Sequence, residues 1–329
     1  MHIEGGDALD ANVDDVSLEG ANTSLQIHYR VPPREFAASF NAIQLVTPVV
    51  LAAACNSPLL LGRRTWHETR VPLFKLAVDG RNRDSRDLHL PPRVDFGTGW
   101  VREGAFELFA GAVHLHGALL PICSRENAPA RVRAGRTPAL AELRLHCGTL
   151  WPWNRPVYDP ADGGHLRIEL RALPAGPSAA DMMANAAFAL GLARGLRERI
   201  DDWLPGIPFA IAESNFYRAA EHGLDAALLW PDARGALVRR NAAAIACQLL
   251  PLAARGLRLL GVHAAEAERF LDIMATRLER RTSGAAWQLA QLARLEARHG
   301  RSRALALLVG RYARHALDNT PVAEWPDLE

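Results

Sequence analysis

The stretch GHLRIELRALPAGP, residues 164–177, sets Arg167, Glu169 and Arg171 at every second position, with Leu166, Ile168 and Leu170 between them. Side chains on a β-strand point alternately to opposite faces. Residues 165–172 therefore read as a strand with one apolar face and one face of arginine, carboxylate, arginine. A second stretch repeats the device. In TSLQIHYRV, residues 23–31, Ser24, Gln26, His28 and Arg30 share one face and Leu25, Ile27, Tyr29 and Val31 the other. If this strand (24–31) and the first lie in one sheet, its polar face carries His28, Arg30, Arg167, Glu169 and Arg171. Guanidinium groups suit phosphate or carboxylate, and imidazole beside carboxylate suits a divalent metal. A solvated face of ion pairs, each worth little, fits the same alternation.

Further strands are expected at 112–119 and 143–149, among turn clusters such as DGRNRDSRD and DPADGG. PREFAASFNAIQLVTPVVLAAAC (33–55) reads as two helical segments meeting at Pro48. From Ser178 onward the pattern is helical. Ser178 followed by Asp181 forms a capping box, and helices are expected at 216–229, 233–259, 264–281, 284–299 and 301–317. NFYRAAEHGLDAALLW (215–230) reads as helix with a buried Phe216/Tyr217 end. The fold class is α+β: an antiparallel sheet with helices packed on one face, leaving the other for polar chemistry. Residues 1–329 are expected to form a single domain, with a sheet-rich half (1–175) and a helical half (176–329).

Composition excludes several classes. Lys+Arg 38 against Asp+Glu 36 leaves a net +2, which makes no electrostatic case for nucleic acid or a membrane surface. Lys75 is the only lysine. Cysteines 55, 123, 147 and 247 show neither a C-x-x-C pair nor zinc spacing, as expected of thiols in a reducing cytosol. The N-terminal MHIEGGDALDANVDDV has no basic region before an apolar run, so no signal peptide is expected. LVTPVVLAAAC is broken by Thr47 and Pro48, so no bilayer span is expected, and the expected location is cytoplasmic. No P-loop, G-x-G-x-x-G after a strand, G-x-S-x-G elbow or H-E-x-x-H occurs.

Three smaller groups carry weaker signals. HCGTLWPWNRP (146–156) would put Trp151 and Trp153 on one strand face, followed by Asn154 and Arg155, as core packing or as a binding wall. SPLLLGRRTWHETRVPLF (57–74) sets Glu68 and Arg70 beside aromatics before a short helix. VHLHG (113–117) puts His114 and His116 on one strand face, as a structural pair or a metal pair lacking a third ligand nearby.

EGANTSLQIHYRVPP, NSPLLLGRRTWHETRVPLF, PRVDFGTGW, GTLWPWNRPV, RIELRALPAGPSAADMMANAAFALGL and FYRAAEHGLDA follow one another along the chain. Together they resemble the glutamate–cysteine ligase type 2 (carboxylate–amine ligase) family, a branch of the glutamine synthetase superfamily, over about residues 3–300. The resemblance implies a cupped antiparallel sheet of glutamine-synthetase-like type, with the active site on the concave face. It implies ATP and Mg2+, a phosphorylated substrate carboxylate, and an amine that displaces phosphate to give an amide, as in glutathione biosynthesis. Cysteine is the family's namesake amine, and the resemblance leaves the amine open. Small amino acids are the implied partners.

By matching motif, His28 and Glu169 resemble metal ligands, with Glu19 a further acidic contributor. Arg167 and Arg171 resemble catalytic groups near the phosphates or acyl phosphate. Arg155, counted with the catalytic set, and Arg70 resemble groups for a substrate carboxylate. Asn22, Trp151 and Asn154 resemble the substrate-binding wall. Family members carry a longer stretch before the EGANTS block, with a Glu-x-Glu strand that contacts metal and ATP. About twenty residues precede that block here, with Glu4 and Asp7 the acids of HIEGGD. The expectation is a homo-oligomer or a partner chain supplying those strands, because an unpaired sheet edge favours pairing. Two alternatives remain at this point: an inactive, truncated relative that binds a ligand or partner through the same face, and a scaffold with solvated charges.

Overall fold

The computed structural model describes residues 1–12, 17–81 and 89–328. After two short hairpin-forming strands at His2–Ile3 and Leu9–Asp10, strand β1 (Ile27–Val31) leads into helix α1 (Phe36–Ala54). The two expected segments of α1 are one helix with Pro48 inside it. Proline removes a backbone donor and crowds the preceding turn, costing about 3 kcal/mol in an exposed helix. Here every residue from Ser39 to Ala54 is buried, so packing on all sides holds the helix through the break.

Helix α2 (Arg70–Ala77) follows, then α3 (Ala105–Leu115), α4 (Ala128–Arg133) and α5 (Ala141–Gly148). Helices α3 and α5 replace the strands expected at 112–119 and 143–149. AFELFAGAVHL carries its apolar residues at helical spacing once read from Ala105, and AELRLHCG is rich in strong helix formers, so the local alternation misleads. Strands β2 (Asn154–Asp159) and β3 (His165–Leu170) close on a turn in which Asp162, Gly163 and Gly164 all have positive φ.

The helical half holds α6 (Ala179–Leu196) and α7 (Phe209–His222), then a hairpin of β4 (Ala227–Pro231) and β5 (Leu237–Asn241). Helices α8 (Ala242–Leu259), α9 (Ala264–Glu279), α10 (Gly284–Glu296) and α11 (Arg301–Leu317) follow. The helices expected at 216–229 and 233–259 are corrected by that hairpin. Helix α7 stops at Gly223, whose φ is 55°, and α8 starts only at Asn241, whose side chain accepts from the Ala244 amide. The Ser178 capping box forms as expected. Its Asp181 is fully buried, pairs with Arg277 at 2.7 Å and accepts the Val322 amide at 2.9 Å, tying the start of α6 to α9 and to the C-terminal segment.

The central sheet has the order β1-β3-β2, antiparallel throughout. Its back face, with Ile168 and Leu170 buried, rests on α1 and α6. Behind it α6 and α8 touch at the backbone. A Cβ on Gly256 would sit 1.7 Å from the Gly191 carbonyl oxygen, and one on Gly191 would sit 2.5 Å from that of Ala253. The front face is not left open as expected: α3 and α5 lie over β2. The α+β class holds with a sheet of three strands. Residues 33–54 and 242–259 are long and apolar enough to cross a membrane, and 89% of the first window is buried inside the protein.

Candidate functional site

Register across the sheet decides which charges meet. His28 lies opposite Glu169 on one side of β3, and Arg155 lies opposite it on the other, so His28, Glu169 and Arg155 form one row across three strands. Directly opposed residues in an antiparallel pair share a face. The Arg155 Nε–H donates to Glu169 Oε2 at 2.6 Å, and His28 Nε2 stands 3.8 Å from Glu169 Oε1. Glu169 is 2% exposed. The next row holds Arg30, Arg167 and Val157. Arg167 pairs with Asp159 at 3.0 Å, while its Nε is enclosed without a partner among the described residues. Both polar strand faces read from the alternation are therefore brought together.

Arg171 follows β3, its amide held by the Trp153 carbonyl. Its guanidinium is half-buried, lies 5.8 Å from the Phe74 ring centroid, and makes no hydrogen bond or ion pair among the described residues. Burial, then the nearby charges of Arg155 and Arg70, push its pKa down to about 10, against the pull of Glu169 and Glu19. Trp151 packs edge-on to the same Phe74 ring at 6.1 Å, so it lines the surroundings of Arg171. Asn22 lies beside the run that continues β3 past Arg171, where Leu25 donates to the Leu173 carbonyl. Both of its side-chain polar atoms are enclosed without partners among the described residues.

Two predicted substrate residues point elsewhere. Asn154 is one position out of phase with Arg155, so it faces back into the core and donates to Gln44 and Thr47 of α1. Arg70 is 4% exposed, donates to Glu68 at 2.7 Å and to the Ala172 carbonyl at 2.6 Å, and serves as a buried tie beneath Arg171. His114 and His116 sit at the end of α3 rather than on a strand, and the two tryptophans precede β2.

Helices α3 and α5 roof a partly open cleft of about 100 Å³ above β2. Arg155 forms part of its floor, and Asp95, Arg93, Glu107, His116 and Cys147 line it. The adjoining space reaches Arg167 and Arg144. Asp95 is a cleft residue that the sequence motifs do not single out. The segment 93–95 runs beside 151–153, with Trp151 and Trp153 donating to the Arg93 and Asp95 carbonyls at 2.7 and 2.9 Å. Its flanking Val94 and Phe96 are each 1% exposed, which leaves an acid anchored between two core residues. Burial raises the Asp95 pKa to about 6. The signal in the sequence is an acid between two large apolar residues, ahead of a Gly-rich loop.

The residues present do not fit the magnesium ion that the resemblance implies. Among the described residues no group of three or more His, Cys, Asp or Glu is placed to hold a metal ion. His28 and Glu169 meet, but Glu19 does not complete a set with them, and Glu169 is already engaged by a guanidinium. Magnesium prefers an octahedron of oxygens, and one paired carboxylate beside an imidazole does not offer it. This face, as built, is an arginine face.

Residues 7–102 match the model of the family described as glutamate-cysteine ligase family 2 (GCS2). The matched segment carries Glu19, Asn22, His28 and Arg70, while Trp151, Arg155, Arg167, Glu169 and Arg171 lie outside it. The match supports the family read from the sequence blocks, and with it a ligase-type enzyme. No curated protein matches the chain.

Proposed function

We propose that this chain is an ATP-dependent carboxylate–amine ligase of the glutamate–cysteine ligase type. The observation that carries the reading is Arg171, a half-buried guanidinium without a counter-ion among the described residues, beside Arg155. A buried cation without a partner is costly, and an anionic ligand repays that cost. In such a ligation a substrate carboxylate oxygen attacks the γ-phosphorus of ATP and ADP leaves. The amine nitrogen then attacks the acyl carbon, the carbon–oxygen bond to phosphate breaks, and the nitrogen loses a proton. Both steps build negative charge on phosphoryl and carbonyl oxygens, which preorganised guanidinium groups stabilise. In this reading Arg171 holds the acyl-phosphate anion, and Glu169 fixes the direction of Arg155.

The absence of a gathered metal-ligand set among the described residues favours a second reading, a non-catalytic relative that binds a ligand on the same face. One experiment separates them. Purified chain is given magnesium-ATP, glutamate and a panel of amines, with phosphate release and product mass both followed. Release with a ligated product, falling about a hundredfold or more in Arg171→Ala, supports the ligase. Ligand binding without release supports the second reading.

A further inference from the structure

Among the described residues, the cleft under α3 and α5 is lined by two carboxyl groups, and they differ in what they already do. Glu107 accepts the amides of Arg102 and Glu103 and so closes the start of α3. Asp95 forms no ion pair among the described residues. The cations of the cleft are unequal too. Arg93 is spent on Thr149 and the Gly117 carbonyl, and His116 is held toward its neutral form, by burial first and then by Arg93 and His146. Arg155 presents what its bonds to Glu169 and the Leu150 carbonyl leave free. Among the described residues, a ligand in this space thus meets one acid without an ion pair and one partly free guanidinium.

We propose that Asp95 is the ammonium-recognition residue of this cleft, receiving the primary amine of one substrate of the ligation, while the carboxylate end of the amino-acid donor lies at Arg155. The proposal takes its ligand class from the ligase reading above. Around Asp95, the Gly97 amide and Lys75 favour the ionised carboxylate, while burial and Glu213 oppose it. Lys75 itself is drawn to the Tyr217 hydroxyl at 3.0 Å and lies over that ring, so it does not satisfy Asp95. A poorly solvated carboxylate without a counter-ion gains from a charge-assisted bond to an ammonium group. Two substrates of a ligation carry such a group, the amino-acid donor and the acceptor amine.

Titration calorimetry without ATP tests this. Wild-type chain and Asp95→Asn are titrated with L-glutamate, with glutarate, and with ethylamine in the presence of saturating glutarate. If Asp95 holds the donor's amine, wild type prefers glutamate over glutarate by about tenfold or more, equivalent to about 1.4 kcal/mol, and Asp95→Asn loses that preference. If it holds the acceptor, the ethylamine arm weakens by a similar factor instead. In both cases glutarate affinity stays within about twofold, showing that the variant is folded and Arg155 intact. The proposal is overturned if neither amine arm responds to Asp95→Asn, or if wild type binds no amine in either arm. Asp95→Ser gives a second variant on the same readout. Asp95-dependent amine binding without phosphate release would sink the ligase reading alone. Release and amine binding that both survive the substitution would sink this proposal alone.

Discussion

Arg155 and Glu169 stand directly opposite each other on neighbouring strands, and the Arg155 Nε–H reaches Glu169 Oε2 across 2.6 Å. The carboxylate is buried while the guanidinium is about one-fifth exposed. Removing the arginine therefore strands a buried charge, whereas removing the carboxylate leaves a cation that water reaches in part. Arg155→Leu should destabilise more than Glu169→Gln, and a double-mutant cycle should give a coupling of about 1–3 kcal/mol. Urea unfolding of the two single variants and the double variant measures it. A coupling near zero would mean the pair is geometric only.

Asp95 gives the protein a pH signature. A carboxyl that binds its proton more tightly in the folded than in the unfolded chain favours folding where it is protonated. With a folded pKa of about 6, Asp95's contribution falls as pH rises from the ordinary carboxylate range through 6, by about 3 kcal/mol. Asp95→Asn should remove that part of the slope. Urea midpoints of wild type and variant, compared at several values across that window, check it. A constant difference between the two would contradict the burial of the charged form.

Arg171 carries the opposite expectation from most arginine substitutions. Its charge is disfavoured in the folded chain, so Arg171→Met should leave the thermal midpoint unchanged or raised. Pyrophosphate at about a hundred times its Kd should stabilise wild type by about 2.7 kcal/mol and the variant far less. Differential scanning calorimetry reads both. Equal stabilisation of both proteins would place the anion elsewhere.

Asp181 and Arg277 are both buried, and Asp181 also closes the Ser178 capping box. Asp181→Ala strands the guanidinium and should cost about 3–5 kcal/mol. Ser178→Ala removes the acceptor for the Asp181 amide and a neutral donor to the Asp181 carboxylate, strands no charge, and should cost about 1 kcal/mol. Thermal unfolding of the two variants orders them. A larger loss for Ser178→Ala would reverse that assignment.

The strands bearing His28 and Glu169 are legible in the sequence because a period of two with charge on one phase matches the pleat of a strand and not the turn of a helix. Their pairing is conditional in the sequence, and the observed register makes it a row. Arg155 joins that row but Asn154 does not, because neighbours on a strand face opposite ways and one motif cannot serve one site with both. Helices α3 and α5 are hard to read because VHLHG and LRLHC alternate over a few residues inside segments whose longer period is helical. The hairpin of β4 and β5 is hidden by alanine and leucine, which fit a helix as well as a strand. Asp95 is illegible as a site residue because its place depends on Trp151 and Trp153, more than fifty positions away, and on the roof that α3 and α5 form.

The glycine contact between α6 and α8 sets the clearance of the whole back layer. With main chain against main chain at Gly191 and Gly256, those two helices have no slack with which to draw apart or together. The sheet resting on that layer cannot recede to admit a bulkier guest. Any widening of the cleft has to come from its upper wall, α3 and α5. Gly256→Ala would jam this stop, pushing the layer forward and narrowing the cleft from behind, at a cost of about 3 kcal/mol in stability. The floor of the cleft is thus set from behind, by a contact in which no side chain takes part.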